Sequence, residues 1–151
     1  SQQLAWEILN NFKDKLILPK DVAVFDTNNP KETAIVKSRF DIKPSEKICD
    51  IGPKAILEYA KILKTAKTIC WNGPLGFFEK KPFRTGTMAL AKIVGAVSKG
   101  KAFGVAGGGE TVAAIRQAHQ FEYIDHVSTG GGAMLEYLSE SKMPGLEALK
   151  K

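Results

Sequence analysis

Leu4, Ala5, Ile8, Leu9 and Phe12 recur at helical spacing and predict an amphipathic helix over about residues 2–13. The period then changes. Val22-Ala23-Val24-Phe25 is a short apolar run of strand length, and Asn28-Asn29-Pro30 reads as a turn. The β-prone residues 33–39 predict a short strand that pairs back antiparallel, and Lys43-Pro44-Ser45 reads as loop. Asp50-Ile51-Gly52-Pro53 predicts the start of a helix with Pro53 at its first position. Ile56, Leu57, Ala60 and Leu63 form its expected buried face. Thr68-Ile69-Cys70-Trp71 is the next strand, followed by the loop 72–79, which is too apolar for a simple solvated turn and suggests a pocket wall. Leu90, Ile93, Val94 and Val97 line a further helix that Gly100 ends.

Two units then repeat one pattern. Residues 102–106 read as a buried strand; Gly107, Gly108 and Gly109 follow, and Glu110-Thr111 opens an apolar run at helical spacing through Val112 and Ile115. His126-Val127-Ser128-Thr129 ends a second strand, Gly130, Gly131 and Gly132 follow, and Leu135 and Leu138 mark the next helix. Strand, glycine turn and helix together aim backbone N–H groups at an anion, and the helix N-terminus adds about half a positive charge. No lysine follows either triplet and no G-x-G-x-x-G is present, so the pattern is neither a P-loop nor a dinucleotide fingerprint. The tail from Met143-Pro144-Gly145-Leu146 onward reads as a short cap.

Helix and strand alternate from Val22 onward, which predicts an α/β domain with a mainly parallel sheet and helices on both faces, a Rossmann-like three-layer arrangement. Ligands of such sheets lie off the C-terminal strand ends. Here those ends carry Asn72-Gly73-Pro74, Gly107 to Gly109 and Thr129 to Gly132, three glycine-rich loops converging on one edge.

Composition adds limits rather than new elements. With 151 residues the chain has the size of one domain. The net charge of +6 favours anionic partners, but the lysines are scattered, with doublets only at Lys80-Lys81 and Lys150-Lys151, so a small polyanion is expected and nucleic acid is not. Cys49 and Cys70 sit in apolar contexts without metal-ligand spacing and read as buried, reduced thiols of a cytoplasmic protein. No apolar run reaches the length of a membrane span, so no membrane partner is expected. His126 reads as a packed structural histidine, His119 as a helix-end surface residue and Trp71 as core.

The segments Trp71-Asn72-Gly73-Pro74-Leu75-Gly76-Phe77-Phe78-Glu79, Phe83, Gly86-Thr87, Gly107-Gly108-Gly109-Glu110-Thr111, His126 to Ala133, Met143-Pro144-Gly145 and Asp50-Ile51-Gly52-Pro53 closely resemble phosphoglycerate kinases. The resemblance covers almost the whole chain in order. It implies that residues 1–151 are the later part of the C-terminal, nucleotide-binding domain, with its sheet truncated on the N-terminal side and the 3-phosphoglycerate domain absent; a start at Ser1 fits a fragment. The implied reaction is the reversible phosphoryl transfer of glycolysis between 1,3-bisphosphoglycerate and ADP, giving 3-phosphoglycerate and ATP. The implied ligand is ADP or ATP with Mg²⁺, and 3-phosphoglycerate or 1,3-bisphosphoglycerate would bind through the missing domain.

By position, the resemblance implies that Pro74, Gly76 and Phe77 wall the adenine and ribose pocket and that Glu79 accepts from the ribose hydroxyls. Asn72 would lie near the nucleotide phosphates, with Gly107, Gly108, Gly109, Glu110 and Thr111 forming the phosphate-facing turn. Gly131 and Gly132 would direct N–H groups nearer the transferred group, and Thr129 and Gly130 would lie near the interdomain hinge. Two departures stand out. The family's metal-binding aspartate is Glu110 here, and a leucine that touches the base is Cys49. Three readings follow: the nucleotide half of an enzyme, inactive by itself; a nucleotide-binding piece without catalysis; or an assembly partner whose unpaired sheet edge leads to self-association.

Overall fold

The computed structural model describes residues 2–29, 31 and 33–149. In chain order the elements are α1 (Gln2–Asn11), β1 (Asp21–Asp26), β2 (Ile35–Ser38), β3 (Glu46–Ile51), α2 (Pro53–Leu63), β4 (Thr68–Asn72), α3 (Thr85–Ser98), β5 (Phe103–Gly107), α4 (Gly109–Gln117), β6 (His126–Ser128), α5 (Gly131–Leu138) and α6 (Pro144–Leu149). They form two three-stranded sheets. One has the order β4-β5-β6 and is parallel; the other has the order β2-β1-β3 and is antiparallel. The α/β class is therefore observed, with the parallel sheet carrying both glycine triplets.

The antiparallel sheet departs from the sequence reading. The strand expected at residues 33–39 is present as β2 and pairs back on β1 as predicted. β3, however, takes in residues 46–49, for which the sequence predicts no element, together with Asp50 and Ile51, which end a strand rather than open a helix. Its pattern is legible only afterwards: Cys49, Asp50 and Ile51 are buried while Lys47 and Ile48 are exposed, and a buried aspartate hides the strand from a hydrophobicity count. Of the Asn28-Asn29-Pro30 turn, Pro30 lies outside the described residues.

The helix after β3 begins at Pro53 as expected, but its cap comes from a distance. Asp21, buried at the start of β1, accepts from Lys54 N–H at 3.0 Å and Ala55 N–H at 2.8 Å. Its backbone carbonyl accepts from Gly52 N–H at 2.9 Å. A carboxylate at a helix N-terminus satisfies orphan donors and meets the helix dipole favourably, worth about 0.5–2 kcal/mol. Leu57, expected on the buried face of α2, is 64% exposed; the inward positions are Ala55 and, partly, Ile56, Tyr59 and Leu63.

The main core lies on one face of the parallel sheet. Ile69, Trp71 and Ala106 pack against Ala91, Val94 and Val97 of α3 and Ile115 of α4. Fully burying an aliphatic side chain of this kind contributes about 1.5–3 kcal/mol. On the other face, α5 reaches the sheet at Gly107, against which the end of Met134 lies. Along the rest of that face Thr68, Cys70 and Phe103 are exposed. Cys70 is thus not the buried thiol expected from its apolar neighbours: strand residues alternate faces, and Ile69 and Trp71 take the covered one. His126 is likewise exposed rather than packed, whereas His119 is the helix-end surface residue expected, with φ 55° just after α4.

Candidate functional site

Three connections leave the C-terminal ends of β4, β5 and β6, and parallel pairing in register sets them side by side: Asn72 is opposite Gly107, and Gly107 opposite Ser128. The two glycine turns touch backbone to backbone. A Cβ built on Gly131 would lie 2.8 Å from Gly108 Cα and 2.8 Å from Asn72 Oδ1. Asn72 Oδ1 is 3.0 Å from where a Gly108 Cβ would be, so the Asn72 side chain sits where both turns meet. The structure therefore brings Asn72, Gly107, Gly108 and Gly131 together, as the sequence predicted.

Each turn opens a helix whose first amides have no partner within the helix. The first helical bond of α4 runs from Val112 N–H to Gly108 O (3.0 Å), leaving Gly109, Glu110 and Thr111 ahead of it. In α5 it runs from Met134 N–H to Gly130 O (2.9 Å), leaving Gly131, Gly132 and Ala133. Two positive helix ends converge on one place. One expectation needs correction. Gly108 N–H is not aimed at a ligand: it donates to Ser128 O at 3.0 Å and continues the β5–β6 ladder. What Gly108 supplies is shape, since its φ of +92° reverses the chain in a conformation that side chains rarely adopt.

Beside the turns is an open cleft of about 470 Å³, lined by Ile48, Cys49, Gly73, Pro74, Leu75, Gly76, Phe77, Glu79 and Glu110. Its size and apolar walls suit a small organic ligand, and its two carboxylates, Glu79 and Glu110, can accept from hydroxyls or face a cation. Pro74, Gly76, Phe77 and Glu79 were expected at a pocket, whereas Glu110, expected at the phosphates and metal, also lines this cleft. Phe77 is 54% exposed and lines the cleft, whereas Phe78 is buried. Ile48 was missed because β3 was not foreseen. It is 55% exposed, and no sequence period marks an apolar residue left uncovered at a cleft. Cys49 forms part of the floor, where burial pushes its thiol up.

The cleft wall is held by groups behind it. Gly73, at φ +96°, donates its N–H to Thr111 Oγ1 at 2.7 Å, and its carbonyl accepts from Trp71 Nε1–H at 2.7 Å. Trp71 is thus core and brace at once. Thr111, expected at the phosphate-facing turn, is almost fully buried, and its hydroxyl faces the loop. Phe77 N–H donates to Cys49 O at 2.9 Å, tying the wall to β3.

Glu79 and Glu110 are exposed carboxylates on the same cleft. Among the described residues no group of three or more His, Cys, Asp or Glu side chains could hold a metal by itself. Magnesium asks for less: it takes one or two protein carboxylates and completes its shell with phosphate oxygens and water. The donor set here fits that mode.

Comparison with known proteins decides the family. The phosphoglycerate kinase family model matches residues 1–141. The chain belongs to the phosphoglycerate kinase family. It is 40% identical over 149 residues to the phosphoglycerate kinase of Levilactobacillus brevis, covering 97% of this chain and 36% of that protein. It is 45% identical over 140 residues to that of Zymomonas mobilis, covering 90% and 34%. Among solved structures, phosphoglycerate kinase from Coxiella burnetii superposes with a TM-score of 0.78 at 40% identity, over 92% of this chain and 35% of that one. The enzyme from Pyrococcus horikoshii gives 0.80 at 34% identity, over 98% and 36%. The chain thus spans about 36% of the length of the curated relatives it matches. No helix among the described residues is long and apolar enough to cross a membrane.

Proposed function

We propose that this chain is the magnesium-nucleotide-binding part of a cytoplasmic phosphoglycerate kinase, the later portion of its C-terminal domain. The observation that carries the reading is the contact between the two glycine turns at Asn72, directly beside a cleft walled by Pro74, Gly76, Phe77 and Glu79. The cleft would take the adenine and ribose, with Glu79 accepting from ribose hydroxyls. The amides of Gly109 and Glu110 would meet the nucleotide phosphates, and those of Gly131 and Gly132 the group in transit.

In the reaction so proposed, 1,3-bisphosphoglycerate gives its phosphoryl group to ADP, and the acyl phosphate bond breaks as the new phosphoanhydride forms. Such transfers need little covalent chemistry from the protein; alignment and charge stabilisation carry them. The helix ends of α4 and α5 are preorganised donors for the charge that gathers on the moving group. Glu110 would hold Mg²⁺, which when bound neutralises phosphate charge.

The bisphosphoglycerate donor has no counterpart site in this reading of the chain, so the chain alone is expected to lack transferase activity. Turnover by the 151-residue protein near that of a complete enzyme in a coupled assay would refute this. Adenine nucleotide should bind in the millimolar class, about −4 kcal/mol. An NMR titration with ADP is expected to move the amides of Gly109, Glu110 and Glu79; unchanged shifts at saturating ADP would remove the proposal. The outer edge of β4 carries no further strand among the described residues, which supports self-association of the chain. A monomer by sedimentation at high concentration would overturn that part.

A further inference from the structure

Behind the cleft lies a buried hydroxyl that the nucleotide reading does not use. Thr87, in the first turn of α3, is fully buried. Its Oγ1 accepts from both Leu75 N–H and Gly76 N–H, each at 3.1 Å. A hydroxyl oxygen has two lone pairs, and here both face two successive amides of the cleft wall. Thr87 itself does not line the cleft. Without that oxygen, two backbone donors at the back of the wall would have no acceptor.

Asp50 packs closely against the same wall at Gly76. It is 1% exposed at the end of β3. Its Oδ2 accepts from Gly86 N–H at 2.7 Å, and its Oδ1 from Ile51 N–H at 2.9 Å. A Cβ on Gly76 would come within 2.5 Å of Asp50 Oδ1 and 2.6 Å of Cys49 O. The Leu75–Gly76 backbone is therefore clamped between α3 and β3, one from the parallel-sheet layer and one from the antiparallel sheet. The first glycine turn is fixed by a different group, Ser128 O, which accepts from Gly108 N–H.

We infer that Thr87 is a positioning residue for the base-and-sugar half of the cleft, acting through the backbone of Leu75 and Gly76 and leaving the phosphate half untouched. The inference rests on the nucleotide reading above. It makes a separation that general loss of structure would not: the oxygen of Thr87 should matter to a ligand with a base and sugar and not to a bare polyphosphate.

The test uses the whole 151-residue chain and two probes, ADP and inorganic tripolyphosphate, titrated by NMR into three proteins. Thr87→Val keeps the shape and removes the acceptor; Thr87→Ser keeps the acceptor and removes the methyl. Thr87→Val is expected to weaken ADP at least fivefold and to leave tripolyphosphate within twofold. Thr87→Ser is expected to restore ADP to within twofold of the unsubstituted chain. Equal weakening of both probes, unchanged ADP affinity in Thr87→Val, or failure of Thr87→Ser to rescue would each overturn the inference. If Thr87→Val does not fold, amide exchange in the unsubstituted chain decides. Leu75 and Gly76 should exchange more slowly with ADP and not with tripolyphosphate; the same response to both, or to neither, overturns it. If the unsubstituted chain binds no ADP, the nucleotide reading itself falls and this inference with it. ADP binding that ignores Thr87→Val sinks the inference alone.

Discussion

The two glycine triplets have the same residues and the same place in a strand–turn–helix unit, yet they are built differently. The turn at Gly107 to Gly109 leaves β5, the central strand of the parallel sheet, and α4 behind it buries Thr111, Ala114 and Ile115. The turn at Gly130 to Gly132 leaves β6, an edge strand, and α5 buries no residue. Gly108 takes φ +92°, whereas Gly130 stays at −95°. A helix after a central strand has sheet and neighbouring helices to pack on; one after a short edge strand has fewer. The first turn is therefore part of the core, and the second is a donor group held against it at Gly131. The lesson is that a repeated motif fixes the local path of the chain but not how firmly it is held.

Substitution at the two contact glycines tests this difference most strongly. Gly108→Ala forces a side chain into the left-handed region and should lower stability by about 1–3 kcal/mol, seen as a fall in the denaturant midpoint. Gly131→Ala collides with Gly108 Cα, but α5 buries no residue, so a small shift of the helix gives up little packing. It should lower stability by only about 1 kcal/mol or less while abolishing the ADP-induced shifts of the α5 amides. If Gly131→Ala proves as destabilising as Gly108→Ala, the second turn is as much part of the core as the first.

Smaller effects come from the outer positions. At neither Gly109 nor Gly132 would a Cβ come within 4 Å of an atom beyond its chain neighbours and its own helix backbone, and neither has a left-handed φ. Alanine at either should raise stability by about 0.4–1 kcal/mol through the unfolded chain, measured as a higher midpoint. A loss at Gly132 would mean that α5 is more tightly packed than its exposure indicates.

The fourth position of each triplet unit gives the smallest change in stability and the sharpest functional contrast: Glu110 in one, Ala133 in the other. Glu110→Gln removes an anion from a helix N-terminus and should cost only about 0.3–1 kcal/mol. If Glu110 holds the metal, the substitution should also abolish the Mg²⁺ enhancement of ADP binding and leave metal-free binding unchanged or improved, because a charge beside the phosphates is gone. Titrating ADP with and without Mg²⁺ into both proteins checks this. An unchanged Mg²⁺ effect assigns Glu110 to the helix end alone.

Much of the site was legible because its parts are local. A short apolar run, three glycines and an apolar repeat at helical spacing determine strand, turn and helix within about fifteen residues, and their order along the chain was enough to point to the family and to the loops at Asn72, Gly107 to Gly109 and Gly130 to Gly132. Tertiary structure decided where each buried polar group found its partner. Asp21 caps a helix 33 residues further on, Asp50 reaches Gly86 across 36 residues, and Thr87 and Thr111 hold a loop that neither adjoins. The same holds for faces: Cys70 and Leu57 follow the period of their elements, but which side is covered depends on what packs there. Gly108 makes the point most directly, since its amide belongs to the sheet only because β6 pairs beside β5. Periodicity is a property of neighbours along the chain, whereas satisfaction of a donor or acceptor is a property of neighbours in space, and only the folded chain brings those together.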